Sequence, residues 1–91
     1  MGTITSYKDL IVWQKSVLLA ELIFQITSTF PKSEMYGIVS QMRRAVVSIP
    51  SNIAEGYARR SRKEFLHFLS ISYGSLLELE TQILLSYRLR F

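Results

Sequence analysis

The stretch from Ser40 to Gly56, SQMRRAVVSIPSNIAEG, constrains the fold more than any other part of this sequence. Its apolar residues recur every three or four positions, which is the spacing of one face of an α-helix. The residues on that face are Met42, Ala45, Ile49 and Ile53. The pattern predicts the central helix of a small bundle over residues 34–57, and no reaction chemistry accompanies it.

Pro50 lies inside this predicted helix and is expected to kink it. Proline has no amide hydrogen, so it cannot donate to the carbonyl of Val46. The apolar spacing nevertheless continues from Ile49 to Ile53. We therefore expect a kink within a continuing helix and not a long loop.

The polar residues after Pro50 are interpreted as structural. Ser51 or Asn52 is expected to hydrogen-bond the backbone groups that the proline frees. Ser51, Asn52 and Glu55 are residue types that occur in catalytic sites, but here no activated nucleophile with a neighbouring base is present. We therefore do not interpret them as catalytic. Gly56 is expected to end or loosen the helix.

A long apolar segment upstream predicts a first helix over residues 7–30. It carries two adjacent apolar stripes. Trp13 lies on one stripe, where a core or interface anchor is expected in preference to a ligand-stacking platform. Pro31 ends the segment, because the residue before a proline is driven out of the α region.

A third helix is predicted over residues 61–90. Ser61 and Glu64 form a capping-box pattern at its start. This helix is again apolar on two sides, which leaves more apolar surface than three helices bury by themselves. We therefore expect one all-α domain over residues 1–91, an antiparallel up-down bundle whose copies associate into a homo-oligomer.

Basic residues give the chain a formal net charge of +4, which permits an acidic partner such as nucleic acid. The densest group, called the basic cluster below, is Arg59, Arg60, Arg62 and Lys63. Such residues suit salt-sensitive contacts to phosphate, and the adjacent Tyr57 suits stacking on an exposed base. A solvated helix junction is the alternative interpretation.

Arg43 and Arg44 are open to two interpretations. Antiparallel pairing places them level with Glu21 on the first helix and Glu78 on the third, which favours a structural charge network. Contact with phosphate is the alternative, so both arginines are also candidate nucleic-acid contacts. Glu78 and Glu80 are assigned structural or interface roles, because residues two apart point to different sides of a helix and form no acid/base pair.

Several classes of protein are disfavoured. The sequence has no cysteine and a single histidine, His67, so we expect no disulfide, metal site or cofactor. Polar residues interrupt the apolar segment from Ile11 to Ile26, which argues against export or a membrane span and favours the cytoplasm. Met1-Gly2 with Ser6 matches a loose N-myristoylation pattern, a modification that we do not expect here.

Three ordered motifs carry a family resemblance. The central stretch, with LIVWQKS upstream and SRKEFLHFLSISYGSLLELETQ downstream, resembles the bacterial four-helix-bundle family found in 23S ribosomal RNA intervening sequences. That family also includes the accessory variability proteins of diversity-generating retroelements. The resemblance extends from about Tyr7 to Tyr87. The family carries a fourth helix after the third, and this sequence ends at Phe91, where that helix is expected to begin.

The resemblance implies a non-enzymatic accessory protein that binds structured RNA or RNA/DNA through a positively charged oligomer. It also implies a homopentamer and, beside a retroelement, a reverse transcriptase as partner. The alternative is a purely structural bundle for protein–protein interaction, in which the basic cluster contacts no nucleic acid.

Overall fold

The computed structural model describes residues 3–91, so Met1 and Gly2 of the myristoylation pattern lie outside the described residues. The chain forms three α-helices, and residues 3–91 contain no strand. The helices are α1 at Ile11–Thr27, α2 at Ile38–Ala58 and α3 at Arg62–Arg88. Short 3₁₀ turns at Tyr7–Asp9 and Lys32–Glu34 precede α1 and α2. The predicted all-α bundle is confirmed.

α1 is shorter than the predicted 7–30 at both ends. Leu10 has an extended backbone (φ −74, ψ 126), which separates α1 from the 3₁₀ turn before it. Ser6 and Asp9 cap that turn, with Ser6 N donating to Asp9 Oδ2 at 3.1 Å and Lys8 N donating to Ser6 Oγ at 3.2 Å. Hydrogen bonds from the backbone of Thr5 and of Ser6, and from the Thr5 hydroxyl, lower the pKa of Asp9.

α2 begins at Ile38, later than the predicted residue 34. Glu34 N donates to Pro31 O at 2.9 Å, so the chain after the proline closes as a 3₁₀ turn. Gly37, with φ −108 and ψ −114, then lies outside helical geometry. The helix starts only after this glycine has redirected the chain.

The prediction that the helix continues across Pro50 is confirmed, because α2 is unbroken from Ile38 to Ala58. The side chains of Ser51 and Asn52 both hydrogen-bond backbone carbonyls of α2. Ser51 Oγ donates to Val47 O at 2.8 Å, and Asn52 Nδ2 donates to Ser48 O at 2.8 Å. Both acceptors are the i−4 carbonyls of the donating residues and neither is Val46 O, because a side chain on a helix reaches the turn directly before it.

The core is built around α2, which packs against both other helices. The backbones of α1 and α3 do not approach each other closely, so α2 is the helix that joins the two outer helices. From α2 the central cluster takes Met42, Ala45, Val46, Ile49 and Ile53. From the outer helices it takes Ile23 of α1 and Leu79 of α3.

Small and hydroxyl side chains set the close packing of α2 on α3. Ser72 Oγ donates to Ile49 O at 2.9 Å, and the Ser48 and Ser75 hydroxyls lie 2.9 Å apart. A Cβ on Gly56 would lie 2.6 Å from Phe68 Cβ. The expectation that Gly56 ends the helix is wrong, because α2 continues to Ala58. The missing side chain of Gly56 instead lets α3 pack closely against α2.

Apolar residues remain exposed on α3. Leu66, Tyr73, Leu77 and Leu84 follow one another at helical spacing and are 52, 62, 44 and 59% exposed. We call these four residues the outer face of α3. An open cleft of about 200 Å³ between α1 and α3 adds further apolar surface, with Ile26 and Ile83 among its lining residues.

Candidate nucleic-acid interface

The basic cluster occupies the tight connection between α2 and α3. Arg59 is the C-cap of α2, and Arg60 follows with φ 57, a left-handed conformation. Ser61 is the N-cap of α3, where its hydroxyl accepts from Glu64 N at 3.4 Å. Arg62 and Lys63 then form the first turn of α3. The reciprocal Glu64 bond of the predicted capping box is not formed.

The four cations of the cluster differ in how they are held. Arg59 Nη2 lies 3.2 Å from Glu55 Oε1, the one ion pair formed within residues 3–91. The Arg59 guanidinium also lies 5.2 Å from the centre of the Phe68 ring. Arg60, Arg62 and Lys63 are exposed and form no ion pair with any described residue. These three side chains are therefore the charges available to a phosphate.

Tyr57 lies beside the cluster but is half-buried. Its ring meets the Phe65 ring edge to face, with centroids 6.3 Å apart. A shallow apolar pocket of about 230 Å³ opens next to this pair, and Arg60 and Arg62 line it. Tyr57 thus packs against Phe65 at the α2–α3 connection, and its ring does not project into solvent where a base could stack on it.

Arg43 and Arg44 lie apart from the cluster, roughly 22 Å away along the axis of α2 at 1.5 Å per residue. Arg43 Nε donates to Thr27 Oγ1 at 3.0 Å, and its Nη2 donates to Phe24 O at 3.3 Å. Arg44 is exposed. The six predicted nucleic-acid contacts therefore belong to two separate surfaces.

The predicted charge network of Arg43 and Arg44 with Glu21 and Glu78 is wrong, because neither arginine forms an ion pair in the part of the chain that the structure describes. Arg43 is instead satisfied by uncharged acceptors at the end of α1. Arg44 and Glu78 line the same cleft between α2 and α3 without pairing.

The residues assigned structural roles occupy varied positions. Trp13 packs partly buried against the core, with the Tyr7 ring 5.2 Å away. Pro50 is buried, and Asn52 Nδ2 also donates to Ser48 Oγ at 2.9 Å, beside the Ser48–Ser75 contact. Glu55 pairs with Arg59, whereas Glu78 and Glu80 are exposed on α3.

Residues 3–91 contain no group of three His, Asp or Glu side chains that could hold a metal ion. Over the same residues, no helix is long and apolar enough to cross a membrane. His67 is exposed and its ring lies 5.7 Å from that of Phe68.

Two features of the surface were missed by sequence reasoning. One is the contact of the Arg59 guanidinium with the Phe68 ring, which joins the C-cap of α2 to α3. An arginine and an aromatic residue on either side of a tight turn are the only available signal. The other is Tyr36, whose side chain is 96% exposed on the turn before α2. The sequence signal for this exposed ring is the position of Tyr36 directly before Gly37, the N-cap of α2.

The sequence matches a known family over most of its length. A family model described as 23S rRNA-intervening sequence protein matches residues 8–91. A search of curated proteins gave no significant match.

Proposed function

Because the chain belongs to the family of 23S rRNA-intervening sequence proteins, we propose that it is a non-enzymatic accessory protein that binds structured RNA or RNA/DNA through the basic cluster. The family is not known as a family of enzymes. We further propose that it acts in the cytoplasm as a homo-oligomer. The family resemblance implies that this oligomer is a pentamer and that a reverse transcriptase is its partner.

The observation that carries the proposal is the set of unpaired cations at the α2–α3 connection. Arg62 and Lys63 lie in the first turn of α3, where the helix dipole disfavours positive charge. Arg60 adopts a left-handed conformation that costs an L residue about 1–2 kcal/mol. A bound phosphate would offset the unfavourable placement of Arg62 and Lys63, because it neutralises their charge and is itself favoured by the backbone amides of a helix start.

Association into an oligomer would make this weak site effective. One subunit offers a handful of phosphate contacts, whereas several copies on one particle raise the effective concentration without new chemistry. The outer face of α3 is the surface that we assign to association, because its exposed leucines and tyrosine are apolar and continuous in helical spacing.

The alternative is the purely structural bundle. The same outer face favours it, because an apolar face binds a protein partner whether or not the basic cluster binds nucleic acid. The two functions differ in their response to salt: phosphate binding weakens steeply as salt rises, whereas association through apolar side chains does not.

A charge-reversal experiment separates the two. Arg62→Glu/Lys63→Glu should weaken binding to a structured RNA by at least about tenfold and flatten its salt dependence, since each lost phosphate contact removes about 0.9 from the slope. Stability should not fall, because acidic residues suit the first turn of a helix. Fluorescence anisotropy at two salt concentrations measures both.

Lys15→Glu/Lys32→Glu is the matched control, because it changes the net charge equally at two exposed positions away from the cluster. It should retain most of the affinity. Equal binding by the cluster variant and the parent protein at moderate salt would favour the structural alternative.

Association has its own test in light scattering. Leu77→Gln/Leu84→Gln leaves the charge unchanged and should reduce the particle mass without loss of helicity. RNA binding should weaken along with the mass. A parent protein that is a stable monomer at micromolar concentration would contradict the oligomer.

A further inference from the structure

A second surface with ligand-binding chemistry lies at the other end of α2. An open pocket of about 630 Å³ is formed by the turn at Met35–Tyr36, the outer side of α2 and the C-terminal half of α1. Phe24, Val39 and Val47 supply its apolar lining. We call it the Tyr36 pocket. Its volume lies within the range of small-molecule sites, about 300–1,000 Å³.

Tyr36 gives the pocket an open aromatic surface. The side chain is 96% exposed, so no described residue covers either face of the ring. Exposed aromatic rings on a turn are suited to stacking on flat ligands, and every nucleobase offers such a face. The ring packs on no core residue, so its chemistry is available for binding.

Arg43 supplies a fixed positive charge at the pocket. Its Nε and Nη2 donate to Thr27 Oγ1 and Phe24 O, and its guanidinium lies 4.7 Å from the centre of the Phe24 ring. These acceptors are uncharged, so the positive charge of a half-buried arginine is held in place without being neutralised. Nη1 also donates to Met35 Sδ at 4.0 Å, a weak and uncharged acceptor, and the N–H groups left over suit an anion.

The other lining residues make the pocket positively charged and therefore complementary to an anionic ligand. Arg44 also lines the pocket, is exposed and has no ion-pair partner among the described residues. Ser40 adds a hydroxyl, and no carboxylate side chain is among the lining residues. An apolar floor, a free aromatic ring and two arginines together match a ligand with one flat face and one anionic group.

We propose that the Tyr36 pocket binds an unpaired nucleotide, with the base on Tyr36 and the apolar floor and the phosphate at Arg43 and Arg44. Paired bases are stacked inside a duplex and cannot reach the ring, so the pocket selects single-stranded segments. The choice of nucleic acid as ligand rests on the function proposed above. The site itself is separate, because the basic cluster lies at the opposite end of α2.

Two-dimensional ¹H–¹⁵N NMR titration of the full chain with an RNA tetranucleotide, and in parallel with a short RNA duplex, tests the proposal. The tetranucleotide should shift the amides of Tyr36, Ser40 and Arg43. Tyr36→Ser should weaken tetranucleotide binding about tenfold and leave duplex binding unchanged, because stacking on the ring is lost and the phosphate contacts remain.

Tyr36→Phe is the matched control and should bind as the parent does, since it keeps the ring and removes only the hydroxyl. The Arg62→Glu/Lys63→Glu variant should lose duplex binding and retain the tetranucleotide shifts at the Tyr36 pocket. Loss of duplex binding thus reports on the basic cluster, and loss of these shifts reports on the pocket.

Three results would overturn the proposal: tetranucleotide binding that is equal in Tyr36→Ser and the parent, shifts confined to the basic cluster, or stronger shifts of the same amides by an acidic heptapeptide or by vesicles with anionic headgroups. The last result would assign the pocket to a protein or lipid ligand.

Discussion

α2 and α3 are both long and rich in apolar residues, yet they place those residues in different environments. α2 buries Val39, Met42, Val46, Ile49 and Ile53 at 6% exposure or less. α3 buries Leu79 to the same degree, whereas the residues of its outer face are at least 44% exposed. Composition is therefore a poor guide to burial. A helix between two neighbours buries both flanks, and a helix with one neighbour keeps an apolar face exposed.

The largest expected difference between the helices is in the cost of removing an apolar side chain. Met42→Ala should reduce the free energy of unfolding by about 2–5 kcal/mol, because the side chain is 1% exposed and leaves a cavity. Leu77→Ala should change it by less than about 0.5 kcal/mol in dilute protein. Urea denaturation followed by circular dichroism measures both.

Protein concentration sharpens this comparison. If copies associate through the outer face of α3, the cost of Leu77→Ala should rise with concentration while the cost of Met42→Ala in the monomer stays constant. Equal costs for the two variants in dilute protein would contradict the assignment of α2 as the buried helix.

A smaller difference is expected between two glycines of the same helix pair. Gly56→Ala should destabilise the fold by about 1–3 kcal/mol through overpacking, because the new Cβ would lie 2.6 Å from Phe68 Cβ. Gly74→Ala on α3 meets no atom within 4 Å and should stabilise the helix by about 0.5–1 kcal/mol. Thermal unfolding of both variants gives the signs, and a stabilised Gly56→Ala would show that α3 can move away.

The smallest effect is expected outside both helices, at the exposed cap before α1. The pKa of Asp9 lies below its ordinary value of 3.8 because backbone and side-chain donors favour the carboxylate. Its contribution to stability is therefore complete above pH 3.8 and is lost as the pH falls through the lowered pKa. Asp9→Asn should abolish this part of the pH dependence.

The parent protein and Asp9→Asn should accordingly have unfolding midpoints that differ slightly at neutral pH and converge in acid. A difference that grew on acidification would refute the assignment. This small change in unfolding midpoint also shows how little an exposed cap contributes, compared with the substitutions in α2 and α3.

Much of the fold was predictable because it depends on residues close in sequence. The three helices follow from apolar spacing and from proline and serine signals, and the continuation of α2 across Pro50 follows from Ile49 and Ile53. Helix ends were less accurate. The turns at Tyr7–Asp9 and Lys32–Glu34 form local 3₁₀ hydrogen bonds that apolar periodicity does not encode.

The sequence by itself determined the central helix, the position of the basic cluster and the family, since each follows from residue types and their spacing along the chain. Only the tertiary structure decided the partner of Arg43, the role of Gly56 and the exposure of Tyr36. These features depend on the distance and rotation between helices, which are set by packing over the whole core. A pattern along one helix specifies which face is apolar, but the neighbouring helix decides whether that face is covered.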